Sequence, residues 1–302
     1  MQHTLAKHSY AVLLIPLIVV CIWSLNVSIN RYAIAYISPM SMSFYRWLIA
    51  WLILTPFILP TLMRHQQQLR AYFPQLAVLS LFGMMLSQCL AYFAALHTTA
   101  TNMGIINACL PILTLCIASW LLREKISRIR WCGSLLSFIG LMYIVTQTQQ
   151  IGHSPNEQAL YGNLFMLAAI CSYALYCVLL KKWDIQLPLM VSLYSQISLA
   201  TLYHLPLLGL FGLDAWTRDN AASLLYAGIF TSLIAPLLWM TSIRLLGPSS
   251  TSNFMYLTPI ITAVIASVWL LEQWTMAHSV GSLMIISGII LSQKMSSTAN
   301  PE

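Results

Sequence analysis

One stretch of this 302-residue chain occurs twice. The first copy runs from Asn107 through Pro111 to Glu124 and on to Gly133 and Gly140. The second runs through Pro259 and Glu272 to Gly281 and Gly288, and the offset is 148 residues at each of the four matched pairs. Between them, Ala118-Ser119 falls on Ala266-Ser267. Earlier segments keep the same period. Cys21 to Asn26 precedes Cys171 to Tyr176 by 150 residues, and Pro39, Ser43 and Tyr45 precede Pro188, Ser192 and Tyr194 by 149. A period this long is not that of a solenoid with units of roughly 20–50 residues, so the chain reads as two related halves.

Both copies lie in apolar runs. Hydrophobic residues make up 59% of the chain and charged residues 7%, against about 25% charged in a soluble domain. Runs of about 20 apolar residues span a bilayer as helices, whereas barrel strands alternate apolar and polar residues, a pattern absent here. Ten spans fit, at 10–30, 40–61, 73–96, 102–122, 129–147, 160–181, 188–210, 220–243, 250–271 and 277–294. The first follows Lys7 as a signal peptide would, but it is long, no small-residue cleavage site follows it and nine spans come after it. The expected fold is an all-α integral membrane protein with ten transmembrane helices. Residues 1–147 form a first five-helix repeat, 148–158 a polar linker and 159–296 a second repeat.

Lys and Arg set the orientation. With the N-terminus in the cytoplasm, eleven of them fall on the inner side and only Arg31 and Arg218 on the outer, with Arg46 inside a span. Both termini are therefore expected inside, in the cytoplasmic (inner) membrane. Five helices per half is an odd number, so the second half enters the membrane inverted. Inverted repeats build two-faced transport proteins with a site near the midplane.

Several classes are disfavoured. The net charge of +7 is spread over short loops, which argues against nucleic acid. The seven cysteines lie in or beside apolar runs without CxxC or Cys/His spacing and read as small reduced hydrophobes. No catalytic cluster and no Gly-rich nucleotide loop is present, so no cofactor or metal is expected and an embedded enzyme is the weakest alternative.

The chain resembles the EamA family of the drug/metabolite transporter superfamily. The resemblance rests on Trp23-Ser24-Leu25-Asn26, on Phe44-Tyr45-Arg46-Trp47-Leu48-Ile49-Ala50 with its Arg-x-x-x-Ala pattern, and on Tyr92-Phe93-Ala94-Ala95-Leu96. It rests also on the duplicated proline, Glu and paired glycines, and on Ser172-Tyr173-Ala174-Leu175-Tyr176, where the family usually shows Trp-Ala. It covers nearly the whole chain and implies a ten-helix bundle moving small metabolites, often outward. Amino acids or related compounds are the solutes expected by that analogy. A multidrug or cation exporter is the main alternative. The partners expected are a small-molecule solute and membrane lipid, with the chain a monomer or a homodimer.

Polar side chains in hydrocarbon are costly and face the bundle interior or a wet cavity. Trp23, Asn26 and Asn30 share a helix face, as do Gln88 and Tyr92, Tyr173 and Tyr176, and Asn253 and Tyr256. Asn107 stands one turn before Pro111, and Trp239 near the repeat mate of Tyr92. Together these form a candidate solute-binding wall of aromatic and amide groups. The competing reading is that the amides join helices and the aromatics fill gaps.

Arg46 is the one clear charge well inside a span; its repeat mate is Ser195. It could hold a carboxylate or phosphate, or meet Glu272 as an outer gate, with Glu124 pairing with a nearby cation. Pro111 and Pro259 are expected to kink the fourth and ninth spans at mid-membrane. Gly133, Gly140, Gly281 and Gly288 are expected to bring the fifth and tenth spans close together. No Asp or Glu lies deep in a span, and His204 sits near the end of the seventh, where it reads as an interface residue. Facilitated movement is thus preferred over acid-driven antiport.

Overall fold

The computed structural model describes residues 10–33, 36–97, 109–123, 126–148, 157–258 and 276–294, with Met103, Ile106, Asn107, Ile260, Ile261 and Val264 between them. Glu124, Pro259, Glu272 and most of the linker lie outside these residues.

Ten helical segments follow one another: α1 (Tyr10–Ala33), α2 (Pro39–Arg64), α3 (Gln66–Ser80, Leu81–Leu86 and Ser87–His97 in succession), α4 (Leu110–Leu121), α5 (Arg128–Thr148), α6 (Glu157–Trp183), α7 (Leu189–Phe211), α8 (Arg218–Tyr226, Ala227–Ile234 and Ala235–Leu246), α9 (Pro248–Ser252, running into the 3₁₀ turn Asn253–Leu257) and α10 (Met276–Lys294). Four segments, Pro39–Arg64, Gln66–Ala94, Leu160–Trp183 and Arg218–Leu246, are long and apolar enough to cross a membrane. Shorter apolar stretches occupy Val12–Asn26, Leu110–Leu121 and Met276–Ser292.

Local chemistry sets the ends. Ser38 caps α2, its hydroxyl accepting from the Ser41 N–H with Pro39 in the first turn. Thr217 and Asn220 form a reciprocal capping box at the start of α8. Gly247, at φ +84°, supplies the left-handed conformation that lets the chain turn from α8 into Pro248. Pro111 follows a break in the fourth span, with Ile106 and Asn107 helical before it. It lies in the first turn of α4, just after a turn at Cys109, where the missing N–H costs nothing.

The helices pair as the duplication demands. α1 packs along the last part of α8, and the equivalent pair in the other half is α6 along the last part of α3. The mates α2 and α7 pack on each other, as do the mates α5 and α10. Both of these pairs run antiparallel. Ser43 meets His204 while Thr55, further along α2, meets Tyr194, earlier on α7. Gly133 approaches Gly288 while Gly140 approaches Gly281. Antiparallel mates are what an axis in the membrane plane produces, so the two five-helix halves are inverted copies.

One unanticipated feature recurs. α3 and α8, themselves mates, each contain a π-helical segment, Leu81–Leu86 and Ala227–Ile234. Such a segment shifts the register of the side chains beyond it and is common at functional sites. The main core joins α2, α3, α6, α7 and α8 through Trp47, Leu79, Tyr176, Ile197 and Trp239. A separate cluster of Leu141, Ile144, Tyr256, Ile285 and Ile289 closes α5 against α10.

Candidate functional site

The π segment of α8 explains the most unusual side chain. In this segment the N–H of Ala235 bonds back five residues to the Phe230 carbonyl. The next residue is Pro236, which has no N–H to return to Thr231. The freed Thr231 carbonyl is instead reached by Arg46 Nη2 at 3.4 Å, and the Thr231 hydroxyl by the same nitrogen at 2.8 Å. Arg46 Nε donates to Ser232 Oγ at 2.7 Å, and Nη1 to Gln88 Oε1 at 3.3 Å. The guanidinium also lies 5.3 Å from the centre of the Trp47 ring.

Arg46 is 5% exposed. All three residues that hold it are neutral, so among the described residues its positive charge meets no carboxylate. A guanidinium has five N–H donors. Four are engaged by described residues, and among these residues the second Nη1–H meets no partner. Glu272, the partner expected from sequence, lies outside the described residues.

An aromatic cluster belongs to the same core as Trp47, the ring over which Arg46 lies. Trp23 of α1 lies 5.0 Å from Trp239 of α8, the rings tilted by 53°, and meets Tyr173 of α6 edge-on at 6.2 Å. Tyr173 in turn lies 5.5 Å from Tyr176 and 6.4 Å from Trp239. Trp239 Nε1–H donates to Cys177 Sγ at 3.4 Å. Trp239 and Tyr176 are buried, while Trp23 and Tyr173 keep part of their surface open. One turn along α1 from Trp23, the buried Asn26 Oδ1 accepts no hydrogen bond among the described residues. The structure thus brings together Trp23, Tyr173, Tyr176 and Trp239, with Arg46 and Gln88 bonded to each other nearby. Among the described residues it presents a guanidinium N–H without a partner, partly exposed rings and an amide oxygen that accepts no bond.

Other residues of the expected wall lie elsewhere. Asn253 Nδ2 donates to Ser292 Oγ at 2.8 Å, and its Oδ1 accepts from Ser134 Oγ at 3.3 Å. Tyr256 pairs with Ser134 at 3.4 Å within the α5/α10 cluster. Both residues are buried and join scaffold helices, as the helix-joining reading has it. Tyr92 and Asn107 are half-buried, and among the described residues neither is bonded to the cluster. The Asn30 side chain lies outside what is described.

Three participants were not singled out from sequence: Thr231, Ser232 and Ser43. The polar pair Thr231-Ser232 inside an apolar run, with Pro236 just beyond, is the signal that points to the first two. His204 is not at an interface with lipid headgroups. It is fully buried, with Nδ1 2.7 Å from the Ala200 carbonyl and Nε2 2.9 Å from Ser43 Oγ and 3.8 Å from Cys89 Sγ.

Known proteins share this fold. One solved crystal structure superposes with a TM-score of 0.81 over 96% of this chain and 99% of its own at 15% identity, which establishes the common fold. An uncharacterized transporter of Archaeoglobus fulgidus is 24% identical over 89% of this chain and 93% of its own length. The uncharacterized transporter YvbV of Bacillus subtilis is 26% identical over 95% of this chain and 92% of its own. The WAT1-related protein At5g13670 of Arabidopsis thaliana is 24% identical over 90% of this chain and 81% of its own. The model of the EamA-like transporter family matches twice, at residues 9–146 and 160–293. With one match on each half of the internal repeat, this membrane-embedded chain belongs to the EamA-like transporter family.

Proposed function

We propose that the chain moves small anionic or zwitterionic metabolites, amino acids or related compounds, by alternating access around the chamber between Arg46 and the Trp23, Tyr173, Tyr176 and Trp239 cluster. The observation that carries this reading is Arg46 itself. A buried cation whose described partners are all neutral is expensive, and an anionic solute would complete it through the second Nη1–H. The partly exposed rings of Trp23 and Tyr173 suit the apolar part of such a solute, and Asn26 Oδ1 offers an acceptor for an ammonium or hydroxyl. A cation exporter would use the same rings but would be repelled by the guanidinium.

Export is the direction that the family resemblance favours. The Lys and Arg bias supports cytoplasmic termini in the inner membrane, and hence an outward-facing loop around Asp214. The test is uptake and counterflow in proteoliposomes against a panel of amino acids, organic anions and organic cations, with and without a pH gradient. Transport of anions or zwitterions that is lost in Arg46→Gln supports the reading; transport confined to cations overturns it.

A further inference from the structure

His204 holds a position that the repeat makes informative. It lies 149 residues after Thr55, as Tyr194 lies 149 after Tyr45 and Ser192 after Ser43. The α2/α7 pair is fastened at two places, one through each of the mates Thr55 and His204. Toward one end the Thr55 and Tyr194 hydroxyls meet at 3.0 Å. Toward the other, beside the loop that holds Asp214, His204 Nε2 meets Ser43 Oγ at 2.9 Å. The first fastening contains only hydroxyls, and the second contains an imidazole.

The tautomer follows from the partners. A carbonyl oxygen only accepts, so Nδ1, 2.7 Å from the Ala200 carbonyl, carries the hydrogen. In the neutral ring Nε2 is then a lone pair that accepts from the Ser43 hydroxyl, with the Cys89 thiol at 3.8 Å. The ionisable groups facing the ring from the packed helices are Arg46 of α2 and Cys89 of α3. α8, which also packs on α7, carries its own cation, Arg244, in its last turn, remote from the loop of Asp214.

We propose that His204 Nε2 is a proton-binding site that unfastens α2 from α7 at the Asp214 end of the molecule only. A proton added to Nε2 turns it from acceptor to donor. Ser43 Oγ must then accept, and its own hydrogen loses its partner. The new charge also stands within range of Arg46, two like charges in one buried layer. The Thr55–Tyr194 fastening has no group that responds, so the effect has a direction across the membrane. The site stands independently of any solute. Only its consequence, that pH on one side biases alternating access, rests on the transporter reading.

The experiment measures distances by spin labelling in the full-length protein in proteoliposomes, without solute and in a background free of native cysteines. One label pair replaces the exposed Tyr36 and Leu213 at the Asp214 end; a control pair replaces the exposed Arg64 and Gln186 at the opposite end. Going from about pH 8 to about pH 5, the window in which histidine exchanges its charge, the first pair should move apart by a few ångströms while the control pair stays. His204→Gln should abolish the response. No response in the unmodified chain, or the same response in His204→Gln, overturns the proposal. Should His204→Gln fail to fold, Thr55→His decides. It should confer a matching response on the control pair, and its failure to do so overturns the proposal. A protein that moves no solute could still respond, so failure here and failure of the transport reading remain distinguishable.

Discussion

Arg46 Nε donates to Ser232 Oγ at 2.7 Å, across the boundary between the two inverted halves. A single side chain of α2 is thus gripped by α8 through Ser232 and Thr231 and by α3 through Gln88. Arg46→Lys keeps the charge but loses the fork that reaches three residues at once. Hydrogen bonds to charged groups contribute about 1.5–3 kcal/mol, so the variant should bind the solute found in the panel roughly ten- to a hundredfold more weakly. Arg46→Met removes the uncompensated charge altogether. It should abolish transport while leaving the melting temperature in detergent unchanged or higher, because an unpaired buried cation opposes folding. A large loss of thermal stability in Arg46→Met would show that the charge is structural.

The contact between α5 and α10 admits no added methyl group. A Cβ on Gly133 would stand 2.6 Å from the Gly288 carbonyl oxygen and 2.7 Å from the Ser292 nitrogen, both backbone atoms that cannot swing away. Gly133→Ala should therefore destabilise by about 1–3 kcal/mol through overpacking. Gly209 of α7 has nothing within 4 Å of its Cβ direction, and Gly209→Ala should be neutral or stabilising by up to about 1 kcal/mol. Unfolding in denaturing detergent would compare the two. Equal effects would mean that the close approach contributes nothing.

These two sites mark how far the sequence could be read. The glycine seam was legible because small residues recur at one spacing in both halves and need no partner to be identified. Arg46 was legible because a charge in an apolar run stands out. Its partners were not. A reading by helical period assumes unbroken register, and the π segment of α8 changes the register just where Thr231 and Ser232 lie. Pro111 and Pro259 drew attention as duplicated prolines, while Pro236, which is not duplicated, frees the carbonyl that Arg46 uses. His204 was correctly placed near a helix end, but its burial depends on α2 and α3 covering it, which one helix's pattern does not contain. Asn253 and Tyr256 share a face as expected. Which neighbour that face meets is a tertiary fact.

Asn253 yields a test that separates joining from binding. Its amide bridges Ser134 of α5 and Ser292 of α10. Interhelical hydrogen bonds in membranes average about 0.6 kcal/mol each and reach about 1.7. Asn253→Ala should lower stability by about 1–2 kcal/mol on the same scale and leave the apparent KM for the transported solute unchanged. A raised KM at unaltered stability would return Asn253 to the chamber wall.

Asp214 makes the loop between α7 and α8 sensitive to acid. Its Oδ2 accepts the Ser38 N–H at 2.5 Å, while its own N–H donates to Ser41 Oγ and its carbonyl accepts from the Tyr45 hydroxyl. Bonds from Ser38, side chain first and then backbone, with a smaller one from Ser41, hold its carboxyl below the ordinary aspartate value of 3.8. A carboxyl depressed in the fold stays charged where the unfolded chain has already taken up a proton. Its stabilisation is therefore complete above the ordinary value and disappears as pH falls through the lower, folded value. The group is half-buried at the surface, where solvent screens it, so the effect is small. The unmodified protein should lose thermal stability more steeply than Asp214→Asn below about pH 4, with the two curves parallel and Asp214→Asn lower near neutrality. Curves that coincide from neutral pH into acid would mean that the Ser38–Asp214 contact does not hold α2 to the loop.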